Sequence, residues 1–276
     1  MKFYADVHRT KKNGEGFRIT YTTDGTTFKH IDSFSEIPAR PGDKLFMDTL
    51  PPQYTDGAIE LLRRGVEVYY LRRLTLLKKM RREHKLPKSA RGDIRALMSI
   101  EERWFRRVTG DFLVLRRMIL AYRSLLKTHQ QLLNKYRALS EAEREVLKPA
   151  ISSIEKQLEE MAKKIDEEAG KRYPAYNVLL EGLGIDDGLA GREALAELLT
   201  YADFVNSSLR GLKKLLGLYK PTSSSRREYW RLYDGRLHRA VTRLAMTYYK
   251  NRPNGRQCWE LVKKIRQLVV TAQAPG

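Results

Sequence analysis

The sequence has little cysteine, a shortage of acidic residues and no long apolar run, and each shortage excludes a class of protein. Cys258 is the only cysteine among 276 residues. A single thiol excludes an internal disulfide framework and a cysteine-rich zinc site, and it is typical of a reducing compartment. No apolar stretch approaches the ~20 residues that span a bilayer, and the first residues lack an apolar signal region. We therefore expect a cytoplasmic protein with no membrane partner.

The shortage of acid indicates the kind of partner. The chain has 33 Asp and Glu against 53 Lys and Arg, a formal charge of +20. Positive charges in such excess repel one another unless a polyanion neutralises them. The basic residues are spread along the whole chain and do not lie on one amphipathic helix, which favours nucleic acid over a membrane surface. We expect a nucleic-acid partner and association with the nucleoid.

The first hundred residues have the pattern of a β-sheet with helices. Short segments rich in β-branched and aromatic residues, with a turn signal at Asp24-Gly25, predict a three-stranded antiparallel meander followed by strand, helix and strand. Thr55 is expected to cap the helix and Gly65 to end it. This is the order of an RNase H-like sheet, in which the first and fourth strands lie side by side. The predicted strands span residues 2–9, 15–25, 26–32, 43–50 and 66–71, and the helix spans 54–65.

Three aspartates are the candidate catalytic residues of this sheet. Asp6 and Asp48 are each expected at the carboxyl end of a strand, the first and the fourth, so that both point into one crevice. Asp93 follows Pro87 and Gly92 on a predicted helix that would bring a third carboxylate to the strand ends. The competing interpretation is that Asp6 ends a strand and caps the next turn, and that Asp48 and Asp93 are solvated caps.

Clustered carboxylates need a cation, because like charges repel. Mg²⁺ is bound in proteins by one or two carboxylates together with phosphate oxygens of the substrate. Two such ions about 4 Å apart would hold the attacking and the leaving oxygen of a phosphodiester. Asp6, Asp48 and Asp93 are therefore predicted metal ligands, and the predicted cofactor is Mg²⁺ or Mn²⁺.

The middle of the chain repeats apolar residues at alternating steps of three and four, the heptad pattern of packed helices. One series covers residues 112–136 and a second covers 147–165, with a capping-box signature at Ser140 and Glu143 between them. The short connection predicts an antiparallel coiled-coil hairpin, which would hold the copies of a homodimer or higher homo-oligomer at a set distance. Pro149 is expected to kink the second helix or to mark its start.

The remainder of the chain is predicted to be a helical domain that contacts nucleic acid at two places. Gly182 and Gly184 separate two apolar helices in the manner of a helix-hairpin-helix, whose turn directs backbone amides at a phosphate. A glycine-rich helix end without a ligand explains the same spacing. Arg236, Arg239 and Arg243 recur at helical spacing as a basic stripe suited to a nucleic-acid backbone, and the alternative is an ordinary solvated face.

Three segments resemble a known family in order and spacing. They are "YADVHRTKK", "LFMDTLPPQYTDGAIELLRRGVEVYYL" and "KSARGDIRAL", and they are similar to the RuvC-like domain of the DEDD-type transposases, the insertion-element recombinases related to the pilin-gene invertases. The resemblance implies that Asp6 is the first acid and that Asp48 stands where the family has Glu. It also implies that Asp93 is the last acid of a "K-x-D-x-x-D" motif, in which Ala90 replaces the preceding acid.

The resemblance continues near the carboxyl end, where Pro and serine are followed by "G-R-L-x-R-A". It implies a serine nucleophile that attacks the scissile phosphate, nearest Ser225, with Ser224 and Ser223 as neighbours, and it implies DNA partners and a structured guide RNA. Arg226 and Arg227 would hold the phosphate, and Arg226 stands where the family has Gly. A serine-rich linker is the alternative for this segment.

Together these patterns predict an α+β, multidomain protein. Its parts are a RuvC-like, RNase H-fold domain over 1–107, a coiled-coil hairpin over 108–172 and an all-α transposase domain over 173–276. The predicted function is a metal-dependent DNA recombinase that cuts and rejoins strands at element ends and target. The alternative is a catalytically impaired nucleic-acid-binding scaffold, similar to a ribonucleoprotein subunit, which the alanine at position 90 favours.

Overall fold

The structure is a computed structural model that describes residues 1–9, 17–71, 74–185, 188–219 and 234–273. It divides into two compact units, Met1–Arg117 and Met118–Gly276. The predicted nucleophile region lies outside the described residues, and those candidates are Ser223, Ser224, Ser225, Arg226 and Arg227.

The first unit contains a six-stranded mixed sheet in the order β3-β2-β1-β4-β5-β6. The first three strands are antiparallel neighbours, β4 and β5 run parallel to β1, and β6 runs antiparallel to β5. The predicted meander and the predicted contact between the first and fourth strands are thereby confirmed. The strands are β1 Lys2–Arg9, β2 Phe17–Thr22, β3 Lys29–Ile31, β4 Lys44–Met47, β5 Glu67–Leu71 and β6 Phe105–Arg107.

The sixth strand is not predicted from the sequence. Phe105–Arg107 pairs with the end of β5, with Phe105 opposite Leu71. Three residues are too few to show the period-two alternation by which strands are recognised. The strand exists because Phe105 is buried against Phe46, with ring centroids 5.0 Å apart.

Four α-helices begin in the described part of this unit, and one face of the sheet is packed against α2 and α3. Their shared core surrounds Phe46, which also stacks between Tyr4 and Tyr69. Gly65 ends α1 as predicted, in the left-handed region with φ of 80°. Thr55 is not the cap, because it is the first residue of the helix. The helices are α1 Thr55–Arg63, α2 Leu74–Glu83, α3 Ala90–Met98 and α4 Gly110–Ala138.

The two predicted long helices of the middle segment are confirmed, and they are α4 and α5, Glu141–Arg172. Glu143 accepts a hydrogen bond from the Ser140 amide at 3.0 Å, as the capping signature predicted. His129 Nε2 lies 3.1 Å from Glu155 Oε1, so the two helices lie against each other. Pro149 lies inside α5 and does not mark its start. The role of this hairpin in a homo-oligomer remains a prediction.

The second unit is helical throughout its described part. Gly182 lies inside α6 and not in a turn, which corrects the sequence-based prediction. A Cβ there would lie 2.9 Å from Leu268 Cδ1, so the glycine permits close packing of α6 against the last helix. No described helix has both the length and the apolar character needed to cross a bilayer. After α5 the helices are α6 Ala175–Leu183, α7 Leu189–Tyr201, α8 Leu209–Leu215, α9 Gly235–Tyr249 and α10 Gly255–Gln273.

Candidate functional site

Asp6 and Asp48 lie side by side at the centre of the sheet. Strand β1 pairs in parallel with β4, and Ala5 opposite Met47 is the last pair of that register. Asp6 and Asp48 are the next residue of each chain segment, and neighbouring strands of a sheet lie about 4.8 Å apart. The Asp6 carboxyl is hydrogen-bonded to the Asp48 carboxyl. Each is only 6% exposed. Two carboxyl groups are therefore buried next to each other.

Asp6 does not lie at the end of its strand, and this corrects the sequence-based prediction. Strand β1 continues to Arg9, and Asp6 pairs with Thr20 of β2. The pairing partner changes at this point, because β4 ends at Met47 while β2 accompanies β1 to its end. The interpretation of Asp6 as a strand-end cap is therefore wrong, and its burial within the sheet needs another explanation.

Burial and mutual repulsion keep the pair partly protonated. Burial raises the pKa of Asp6 to about 8, and the charges of Asp48 and Asp93 and a hydrogen bond to the Asp48 carboxyl act in the same direction. Burial, followed by the charge of Asp93, raises the pKa of Asp48 to about 6. Thr49 Oγ1 donates to Asp48 Oδ1 at 3.3 Å, which opposes the rise. The pair therefore shares a proton near neutral pH when no cation is bound.

Asp93 is brought to the same side of the sheet by α3, whose amino end is capped by Ser89. Asp93 Oδ1 lies 2.9 Å from Arg81 Nη1 of α2. Burial raises the pKa of Asp93, and Arg81 opposes this shift. Ala90, which replaces an acid of the resembled motif, is the first residue of α3, one turn before Asp93. The third aspartate is thus close enough to act electrostatically on the pair but is held by an arginine.

The aspartates of this site differ from a complete set of protein ligands for a metal ion. Within the described ranges, no three His, Cys, Asp or Glu side chains converge closely enough to hold a metal ion as a group. The predicted three-ligand set is thus not assembled, since Asp93 is paired with Arg81. Asp6 and Asp48 alone match Mg²⁺, which takes one or two carboxylates and completes its shell with water and phosphate oxygens. The residues fit a two-carboxylate site for a hard divalent cation.

Two histidines lie beside the pair, and the sequence patterns do not single them out. His8 Nε2 lies 3.0 Å from Thr20 Oγ1, and the same hydroxyl lies 2.9 Å from His30 Nδ1. His8 faces the same side as Asp6, two residues after it on the strand, and Thr20 is opposite Asp6. The alternation of Asp6 and His8 in β1 is the signal that could have found them. His8, Thr20 and His30 thus form a row of polar side chains that runs from β1 across β2 to β3, next to the acid pair.

Gly92 positions Asp93, and we predict that Gly92→Ala destabilises this site. A Cβ on Gly92 would lie 2.0 Å from the Pro87 carbonyl oxygen, which is backbone and cannot rotate away. We expect a loss of about 2 kcal/mol or more in unfolding free energy, since overpacking forces the backbone to shift. Chemical denaturation measures it, with Gly110→Ala as control, because a Cβ at Gly110 meets nothing within 4 Å. Equal stability of the two variants would contradict the structure here.

The predicted basic stripe of the second unit is divided in two. Arg236 and Arg239 are exposed on α9. Arg243 instead lies 2.7 Å from Glu193 and 3.0 Å from Glu197, both buried on α7. Arg243 therefore stabilises the packing of α9 on α7, and its prediction as a free nucleic-acid contact is corrected.

The predicted phosphate turn after α6 also differs from expectation. Gly184 has φ of 61° and closes the helix. Its amide donates to the Glu181 carbonyl at 3.0 Å. That amide is thus used within the fold, and the geometry is that of a glycine helix end.

Comparison with family models finds no match for this chain, and comparison with curated proteins finds no relative. The function of the site is accordingly inferred from its register, burial and charge.

Proposed function

We propose that the first unit is an RNase H-like domain that cleaves a nucleic-acid phosphodiester with a divalent cation at Asp6 and Asp48. The observation that carries the proposal is the pair of buried, hydrogen-bonded carboxyls that directly follows the last register pair of two adjacent parallel strands. Two adjacent acids are costly to bury, so an unpaired acid pair in a core indicates a role other than stability. The strand order, with an antiparallel meander joined to parallel strands, supports the same fold.

The chemistry assigned to these residues is the binding of a divalent cation by two carboxylates. Mg²⁺ or Mn²⁺ bound there would supply a Lewis acid for a phosphate oxygen. Asp6 and Asp48 would hold the cation as two carboxylates, and its binding would displace the proton that the pair shares, since metal ligands must be deprotonated. Thr49 orients the Asp48 carboxylate through its hydroxyl. Arg81 lies 2.9 Å from Asp93 and opposes the rise that burial causes in the pKa of Asp93.

The substrate class follows from charge. The chain carries a formal charge of +20, which favours a polyphosphate partner. We propose DNA as the substrate, with strand rejoining by the serine region around Ser225, in the manner of the DEDD-type recombinases that the sequence resembles. A guide RNA and a homo-oligomer held by the helical hairpin belong to the same proposal.

Metal binding and pH test the proposal directly on the purified protein. Both pair members have folded pKa values above the ordinary 3.8, so the folded state binds more protons than the unfolded chain. Stability of the metal-free protein should therefore fall as pH rises from about 4 towards about 8. At pH 8, saturating Mn²⁺ should raise the melting temperature of the wild type by about 5 °C.

The Asp6→Asn variant should be measured by calorimetry beside the wild type. It should lose less stability on the alkaline side, because one of the repelling carboxyls is gone, and it should not respond to Mn²⁺. Asp32→Asn, an exposed acid of the same unit, is the control that keeps both responses. A wild-type melting temperature unaffected by Mn²⁺ at pH 8 would overturn the two-carboxylate metal site.

A second candidate function is a catalytically silent nucleic-acid scaffold. The ion pair of Asp93 with Arg81 and the alanine at position 90 favour it, because they leave two carboxylates where the resembled motif has more. A scaffold would bind nucleic acid with and without metal and would cleave no strand. A nicking assay of the wild type with Mg²⁺ and with Mn²⁺ separates the two functions.

A further inference from the structure

A groove in the second unit is lined by more cationic than anionic side chains. It lies between α4 and α9, over α7, and has a volume of about 940 Å³. Its charged lining residues are Arg123, Lys127, Glu197, Arg236, Arg239 and Arg243. Five of the six are cationic.

The floor of the groove is an internally neutralised cluster. Glu197 is 1% exposed and forms ion pairs with both Arg123 and Arg243. Glu193, fully buried, pairs with Arg243 at 2.7 Å. Two buried carboxylates thus balance two arginines, and Arg123 also lies over the Tyr201 ring, with 5.0 Å from its guanidinium carbon to the ring centroid. The floor side chains are held by these contacts and contribute little net charge.

The excess positive charge of the groove lies at its rim. Lys127, Arg236 and Arg239 form no ion pair with any acid of the described residues. Arg236 and Arg239 are three residues apart on α9, about 4.5 Å along the axis, and Lys127 is one turn beyond Arg123 on α4. Three cationic side chains on two helices therefore border a cleft whose floor is already neutral. This arrangement favours an anionic ligand that extends along the cleft.

We propose that this groove binds the sugar-phosphate backbone of a single nucleic-acid strand. Its volume is that of a pocket for one small ligand or a short stretch of strand, about 300–1,000 Å³, and it is too small to enclose a duplex. Among the described residues that line it, His238 alone has an aromatic ring, so the groove offers little surface for base stacking and mainly contacts phosphates. This proposal rests on the proposed action on nucleic acid. It adds that the bound nucleic acid is single-stranded and names the residues that hold it.

Binding is tested with the full chain and a fluorescent 12-nucleotide single-stranded DNA in EDTA, by anisotropy at several salt concentrations. Arg236→Ser with Arg239→Ser should weaken binding at least tenfold. The slope of log K against log salt should fall by about 1.4, that is about 0.7 for each phosphate that is no longer neutralised. Lys127→Ser, on the other helix, should weaken binding by a smaller factor. Both α9 arginines are exposed, so the variants are expected to melt as the wild type does.

The matched control removes the same charge elsewhere on the second unit, by Lys156→Ser with Arg210→Ser, which are exposed and outside the groove. Equal weakening by the control and the groove variant would overturn the proposal in favour of diffuse attraction. So would unchanged binding by the groove variant, or stronger binding of a duplex than of the single strand.

The two proposals fail separately. Single-strand binding that depends on the groove, in a wild type that neither binds Mn²⁺ nor cleaves, retains the groove and rejects the catalytic site. Cleavage by a groove variant that binds the strand as the wild type does rejects the groove and retains the site.

Discussion

Asp6→Asn should lower Mg²⁺-dependent cleavage of branched or element-end DNA by about 10³-fold or more, a loss of about 4 kcal/mol of transition-state stabilisation. The carboxylate is half of the acid pair at this register of the sheet, and the amide cannot balance a divalent cation. Folding should be intact, because the substitution keeps the shape of a buried side chain and removes repulsion from Asp48. A gel-based nicking assay with Mg²⁺ and with Mn²⁺ measures the effect.

Asp48→Asn should behave in the same way, because both acids face one point of the sheet. Asp32→Asn, exposed in the same unit, should cleave as the wild type does. Cleavage by Asp6→Asn at the wild-type rate would remove the pair from the mechanism. A wild type that binds branched DNA and never nicks it, with either metal, would favour the scaffold function.

Glu197→Gln should lower the unfolding free energy by about 3–5 kcal/mol, or the melting temperature by about 10 °C. Glu197 is buried and bridges Arg123 and Arg243, so its neutralisation leaves these two half-buried arginines with the charge of Glu193 alone. Removing one partner of a buried ion network costs more than the network itself contributes, because the remaining charges lose their compensation.

The control for this effect is Glu159→Gln, which removes an exposed ion pair with Lys163 at 2.8 Å on α5. Exposed pairs contribute about 0–1 kcal/mol, so its melting curve should nearly overlay that of the wild type. Equal shifts for the two variants would mean that the α7–α9 cluster does not bear on stability.

The elements that the sequence predicts well are those encoded by neighbouring residues. The meander with its Asp24-Gly25 turn, the helix end at Gly65 and the two long helices on either side of Ser140 all follow from local alternation, turn chemistry or heptad spacing. The placement of Asp48 beside the first strand also follows, since the order of strands and helices leaves few topologies.

The wrong predictions concern contacts between residues far apart in the chain. The sequence predicts Asp6 at a strand end because the apolar run of the first strand stops before it, whereas pairing with β2 continues to Arg9. It groups Arg243 with the exposed arginines of α9 because helical spacing shows which residues share a face, and not what covers that face. It assigns Gly182 to a turn, whereas the glycine is required by the side chain of Leu268.

Residue type and short-range order are enough to predict the secondary structure of most of the described chain, the excess of positive charge and the identity of the two adjacent acids. The packing of the elements settles which charges are neutralised. Arg81 meets Asp93, and Arg243 meets Glu193 and Glu197, while Arg236 and Arg239 remain exposed. An ion pair depends on distance and burial in space, and both are set by how helices and strands pack, which no local pattern of the chain records.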